Sequence, residues 1–333
     1  MSKKMVTVTI FLLLVIACAL PFVLTSYRTF QATLVLVYAI ALLGLNILTG
    51  YNGQISLGHG AFYAIGAYCA AILMDQAGVP YWATIPIAAA VCLLVGFLFG
   101  LPALRLEGLY LALATFALAV SMPPVLKSHL LDKWTGGVQG IVIMKPDPPA
   151  FLGAIGIKLN GDQWLYFFSL AIAIVAFVIG WNLISGRVGR ALIAIRDHHT
   201  AAEAMGIHTA LYKSLAFGVS AMYTGVAGAL GAIAVQFVAP DSFTVFLSIS
   251  LLVGIVVGGL ASLAGALYGA LFIQFVPNIA DELSKAAPWA VFGVFLIGSV
   301  YLMPTGVAGA LRSLRARLGS GKLFPLSKEE TVP

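Results

Sequence analysis

Charge is what this chain has least of: Asp, Glu, Lys and Arg together make up 9% of its 333 residues, where an ordinary soluble domain carries about a quarter. That scarcity excludes a solvated globular fold. With 61% hydrophobic residues and a mean hydropathy of +1.03, too little polar surface is left to face water on all sides. Cysteine is scarce as well. Cys18, Cys69 and Cys92 all lie inside apolar runs with no metal or redox spacing, so they read as small buried residues. No acidic residue falls at the centre of an apolar run, which leaves proton-relay antiport and intramembrane proteolysis without obvious machinery. One phosphate-loop look-alike, Gly319-Ser320-Gly321-Lys322, has Ala316 where the first glycine belongs and Leu323 at the hydroxyl position, so ATP must bind elsewhere. The net charge of +6 comes without a basic patch interleaved with aromatics, and no nucleic acid partner is expected.

What is present is a series of long, unalternated apolar runs. They predict helices, since a barrel would show segments of roughly ten alternating residues. The expected fold is an all-α integral membrane protein, a single domain over 1–333 with about ten transmembrane helices. The candidate spans are 6–24, 31–50, 55–74, 82–100, 109–127, 164–184, 214–236, 243–260, 262–280 and 288–303. With the N-terminus inside, twelve of the 18 basic residues face the cytoplasm, as the positive-inside rule asks, and both termini are cytoplasmic. The glycine-rich span 55–74 and the nearly contiguous pair 243–260 and 262–280 are candidates for broken or re-entrant helices. The first run, with Lys3 and Lys4 ahead of it and Ala17-Cys18-Ala19 near its end, also fits a signal peptide. Its uncharged length, Met5 to Tyr27, favours a helix that stays. The turn-rich segment 128–163 is expected to be an external loop, either a landing site for a partner or a plain connection. The segment 304–333 is expected to be a cytoplasmic tail.

The longest polar interruption, 185–213, holds Arg187, Arg190, Arg196 and Lys213 around an alanine-rich helical core. It predicts a short amphipathic helix from Gly189 to Met205, with Ala191, Ile195, Ala202 and Met205 near one face and Gly206 ending it. Here the sequence becomes specific. Thr200-Ala201-Ala202-Glu203-Ala204-Met205-Gly206 resembles the EAA-x-x-x-G loop by which ABC importer permeases dock onto an ATP-binding subunit. The wider string from Gly189 to Phe217 is similar to that loop in branched-chain amino-acid permeases of the LivM type. Thr200 stands where that loop carries glutamate. The resemblance implies an ATPase-docking role for Arg190, Arg196, Thr200, Ala201, Ala202, Glu203 and Gly206.

A second stretch, Gly44 to Phe62, is similar to the same family's G-x-x-S-x-G-x-x-x-F signature, seen here as Gly53, Ser56, Gly58 and Phe62. Closely spaced Gly, Ser and Asn let a backbone leave helical geometry and turn polar groups toward a cavity, or simply let helices pack closely. Asn46, Asn52, Gln54, Ser56, His59, Phe62 and, from a later glycine-rich stretch, Ser262 are therefore candidates for the translocation pathway. His59 reads as a pathway residue or as a packed histidine, with no nearby carboxylate to make it catalytic. Gly53-x-x-Ser56-Leu57 recurs as Gly259-x-x-Ser262-Leu263, hinting at two related halves. The resemblance implies a permease subunit in a bacterial inner membrane that binds no cofactor itself. Its expected partners are a homologous LivH-type permease, two subunits that bind ATP-Mg, a periplasmic solute-binding protein and membrane lipid. The expected solute is a branched-chain amino acid, with urea, amides or aromatic acids, which relatives in that family carry, as alternatives, and a stand-alone secondary transporter as the rival class.

Overall fold

The computed structural model describes residues 3–104, 106, 108–149, 159–283, 285 and 288–320. The remainder, including Arg105, part of the expected external loop and the end of the expected tail, lies outside the described residues. The chain is mainly helical: α1 (Lys3–Val23), α2 (Ser26–Leu45), a π-helical continuation of it (Asn46–Tyr51), α3 (His59–Asp75), α4 (Tyr81–Ala103) and α5 (Leu109–Leu126) come first. The short α6 (Asp132–Thr135) precedes α7 (Gly161–Ser185), α8 (Arg187–Asp197), α9 (His199–Ala204) and α10 (Thr209–Val235). The chain continues through α11 (Val245–Gly258), α12 (Leu263–Leu283), α13 (Pro288–Leu302) and α14 (Gly306–Ser320). Among the described residues, six helices are long and apolar enough to cross a membrane. They are α2 with its π-helical end, α4, α5, α7, α10 and α12.

The two places expected to hold broken or re-entrant helices are interrupted, and the bounds of two expected spans change accordingly. Residues 55–74 are not one helix, because Gln54–Gly58 is irregular and α3 starts only at His59. Residues 243–260 hold a helix of 14 residues, about 21 Å long and shorter than a hydrocarbon core of about 30 Å. Irregular backbone at such places survives only where its polar groups find partners inside the protein, and here they do. The Gln54 N–H donates to the Leu48 carbonyl at 3.1 Å, Thr49 Oγ1 donates to the Gln54 carbonyl at 3.0 Å, and the Leu57 N–H donates to Thr115 Oγ1 at 2.9 Å.

α10 is the hub, packed against α2, α3 and α4. Its glycines allow that proximity: a Cβ at Gly228 would strike the Tyr63 carbonyl, and one at Gly225 the Cys92 side chain. Without an extra hydrophobic drive between helices in lipid, such close contact supplies the association energy. Prolines are accommodated by the same accounting. Pro21 cannot donate to the carbonyl four residues back, and that Ala17 carbonyl instead accepts from the Tyr166 hydroxyl at 2.9 Å. α7 begins with a capping box in which the Asn160 and Gln163 side chains reciprocally satisfy free amides.

At the end of the bundle away from α8 and α9, Ile141–Val142 pairs antiparallel with Phe237–Val238. Lys127 and Asp241 form an exposed ion pair there at 2.6 Å.

Candidate functional site

The interruption between α7 and α10 folds into two short helices rather than one. α8 is strongly amphipathic, burying Gly189, Ala191, Leu192 and Ile195 while Arg187 and Arg190 stay exposed. At His198 the backbone turns extended, and α9 follows. Ala202 is its buried residue, whereas Thr200, Ala201 and Glu203 face outward. Gly206 ends the motif at φ +81°, a left-handed conformation that glycine adopts without steric cost. The expectation that Met205 shares the buried face with Ala191, Ile195 and Ala202 is wrong. With the break at His198 the helical register is lost, and Met205 is 84% exposed. Glu203 is held from below, accepting from the Thr209 hydroxyl at 2.5 Å. Arg190 lies along the surface, with Nη1 3.4 Å from the Ser185 carbonyl.

Arg196 is different. Its Nη1 donates to the Gly50 carbonyl at 2.9 Å, while Asp197 holds the same guanidinium at 2.9 Å. α8 is thereby tied to the π-helical end of α2. That segment is tied onward: Asn46 Nδ2 donates to the Ser262 carbonyl at 2.8 Å, and Asn46 Oδ1 accepts from the Ala261 N–H at 2.9 Å. The π-helical end of α2, just ahead of the first glycine-serine stretch, therefore meets the second. The turn between α11 and α12 is unusual in its own right, since Ala261 sits at φ +53° and Gly259 at +117°. The Asn46 side chain occupies both polar groups that this turn offers it.

The other motif residues form a closed brace. Ser220 Oγ donates to the Gly44 carbonyl at 2.6 Å, so it accepts from His59 Nε2, also at 2.6 Å. Nδ1 is then left to accept from Ser56 Oγ at 3.0 Å. This neutral imidazole, 1% exposed, ties α2, α3 and α10 together. Phe62 packs beside it, its ring centroid 6.0 Å from that of His59. Asn52 donates to Gln54 Oε1 at 2.7 Å, and both side chains border a cavity of about 250 Å³ shared with Arg196 and Lys213. Ser262 borders a separate cavity beside Tyr51 and Arg312. Sequence reading passed over Ser220, Gly50 and Ala261. A serine within a 27-residue apolar helix was the available signal for the first.

The family model described as the permease component of branched-chain amino acid transport systems matches residues 27–303. The chain belongs to this permease family. It is a permease subunit of an ABC importer, and a multi-pass membrane protein. Two curated relatives, the high-affinity branched-chain amino acid transport system permease proteins LivM of Salmonella typhimurium and Escherichia coli, are each 31% identical to it. Each alignment covers 93% of this chain and 77% of the relative. The autoinducer 2 import system permease protein LsrC of Escherichia coli is 25% identical, with 92% and 87% covered. No solved structure matches the chain.

Proposed function

We propose that this permease subunit carries branched-chain amino acids through a bacterial inner membrane. Support for the solute comes from the LivM relatives, alike over nearly the whole chain. The chain crosses about ten times, the short α11 together with the irregular backbone at its ends, and both termini lie in the cytoplasm, a reading supported by the distribution of its lysines and arginines. Its partners are a LivH-type permease, two ATP-binding subunits that hold ATP-Mg, and a periplasmic solute-binding protein. This chain binds no cofactor of its own.

One contact carries the mechanism: the bond from Arg196 to the Gly50 carbonyl. The projection formed by α8 and α9 docks into the ATP-binding subunit through Thr200, Ala201 and the exposed Met205, with Arg190 at its rim. Buried Ala202 and left-handed Gly206 keep that projection in shape. When nucleotide binding moves the partner, Arg196 passes the displacement to the end of α2, and Asn46 passes it to the turn between α11 and α12. Rigid helices joined by a few directional bonds transmit such motion as a unit. Asn52, Gln54, Ser56, His59, Phe62 and Ser262 frame the pathway and hold its helices in register.

The test is purification of the tagged chain from its host in mild detergent, followed by solute uptake in vesicles holding the recovered complex. Recovery of a second permease and an ATP-binding subunit, with ATP-dependent leucine uptake once the binding protein is added, supports the reading. Recovery of this chain alone, under conditions that preserve a control ABC complex, overturns it in favour of a stand-alone carrier.

A further inference from the structure

Polar side chains in the middle of a span must face protein or water, because hydrocarbon offers them no partner. Two such residues meet here. Tyr38 lies at the middle of the Ser26–Tyr51 span and Gln274 near the middle of Leu263–Glu282. They border one cavity of about 270 Å³, together with Ser250, Asn278, Leu247 and Ile273. None of the residues around it is charged. Asn278 Nδ2 is occupied by the Gln274 carbonyl at 3.0 Å, but the Gln274 side-chain amide has no hydrogen-bond partner among the described residues.

Two rows of polar side chains lead away from the cavity. On α2, helical spacing aligns Tyr27, Gln31 and Tyr38, with Leu34 as the apolar member of the row, and Gln31 Nε2 donates to the Tyr27 hydroxyl at 3.2 Å. On α12 it aligns Gln274, Asn278 and Asp281. The Asn46 bonds place the end of α2 beside the start of α12, so these two packed helices run antiparallel. Both rows therefore lead from mid-span to the same end of the molecule, the end opposite α8 and α9. Toward α8 and α9 the way is closed. Gly269 abuts the Gly254 backbone, Gly265 abuts Gly258 and Gly259, and no Cβ fits at either contact.

We infer that the α2–α12 cavity is the solute's contact site within this subunit, at the inner end of a path open away from the ATPase. Its chemistry selects a net-neutral zwitterion. The Gln274 amide and the hydroxyls of Tyr38 and Ser250 donate to a carboxylate, amide and hydroxyl oxygens accept from an ammonium, and Leu247 and Ile273 receive an aliphatic side chain. A solute with net charge would enter without a counter-charge and pay the full desolvation cost. This inference rests on the amino-acid reading given above.

The experiment uses the complete complex in proteoliposomes with leucine as the probe, in two arms. In the first, Gln274→Leu and Tyr38→Phe are compared with the unaltered complex by uptake per assembled complex. Loss of a hydrogen bond to the solute is expected to lower uptake at subsaturating leucine by about tenfold. In the second, Gln274→Cys is placed in a background lacking Cys18, Cys69 and Cys92 and treated with a water-soluble methanethiosulfonate. Labelling that leucine slows is expected. Unchanged uptake, or a thiol that stays unlabelled, shows Gln274 packed against protein and overturns the inference; labelling that leucine does not slow overturns it as well. If the unaltered complex carries no leucine but does carry another solute, the amino-acid reading fails separately, and the Gln274 variants tested with that solute still judge the cavity.

Discussion

Single side chains carry much of the connectivity in this molecule, and each does so through bonds that a substitution can remove one at a time. Arg196 is the clearest case. Arg196→Ala is expected to lower ATP-driven uptake by about tenfold, the worth of one charge-assisted bond, while the subunits still co-purify; uptake at the unaltered level would show the Gly50 contact to be idle. His59→Leu tests the brace instead. It leaves the buried hydroxyls of Ser56 and Ser220 short of a partner and is expected to destabilise the subunit by about 1–3 kcal/mol, read as a lower melting temperature in detergent. Lys127→Ala should do little, because an exposed ion pair contributes less than about 1 kcal/mol. The brace was half legible beforehand. Ser56 and His59 stand out in a glycine-rich signature, whereas Ser220 is 161 residues away from His59 along the chain, and no local pattern names it as the partner.

At the scale of elements, periodicity located the helices, and glycine content pointed to two of their interruptions, at 55–74 and between 243–260 and 262–280. The apolar runs near 31–50, 82–100 and 214–236 correspond to α2, α4 and α10, since a 3.6-residue period filled with apolar residues has no better solution in lipid. The span expected over 55–74 starts as a helix only at His59, an interruption its glycines allow but whose position they do not fix. What fixes it is distant: the Leu57 amide bonds to Thr115 on α5. The single amphipathic helix expected from Gly189 to Met205 breaks at His198, and this decides how the proposed docking role of the projection should be tested. Ala202→Glu would wreck the local packing of a residue that is 3% exposed. Met205→Glu alters only an exposed anchor, so it is expected to reduce retention of the ATP-binding subunit by about tenfold, as loss of one apolar anchor at an interface does. Membrane insertion and the melting temperature of the subunit should not change. Equal retention of the partner by this variant would move the docking surface elsewhere.

At the scale of the whole molecule, the arrangement has two ends with different chemistry. One carries α8, α9 and the turns that Arg196 and Asn46 hold; the other carries the paired strands and the mouth of the polar path. Cysteines introduced singly at Met205 and at Gln139 are expected to react with impermeant reagents from opposite sides of the membrane, and reaction from the same side would refute the proposed orientation. Composition alone determined that the chain lives in a bilayer, because so few charges cannot clothe a soluble fold. The run lengths and the spacing of small residues determined a helical bundle and pointed to the segment that projects from it. Only the tertiary structure decided which polar residues hold the frame and which face open space. Asn46, Ser56 and His59, pathway candidates in sequence, prove to be bonded across helices as part of the frame, while Tyr38, Gln274 and Asn278 stand unremarked in apolar helices and converge on a cavity. The reason is physical: a polar group within the membrane must be satisfied, but its partner is chosen by how helices cross, and crossing is set by contacts between residues far apart in the chain.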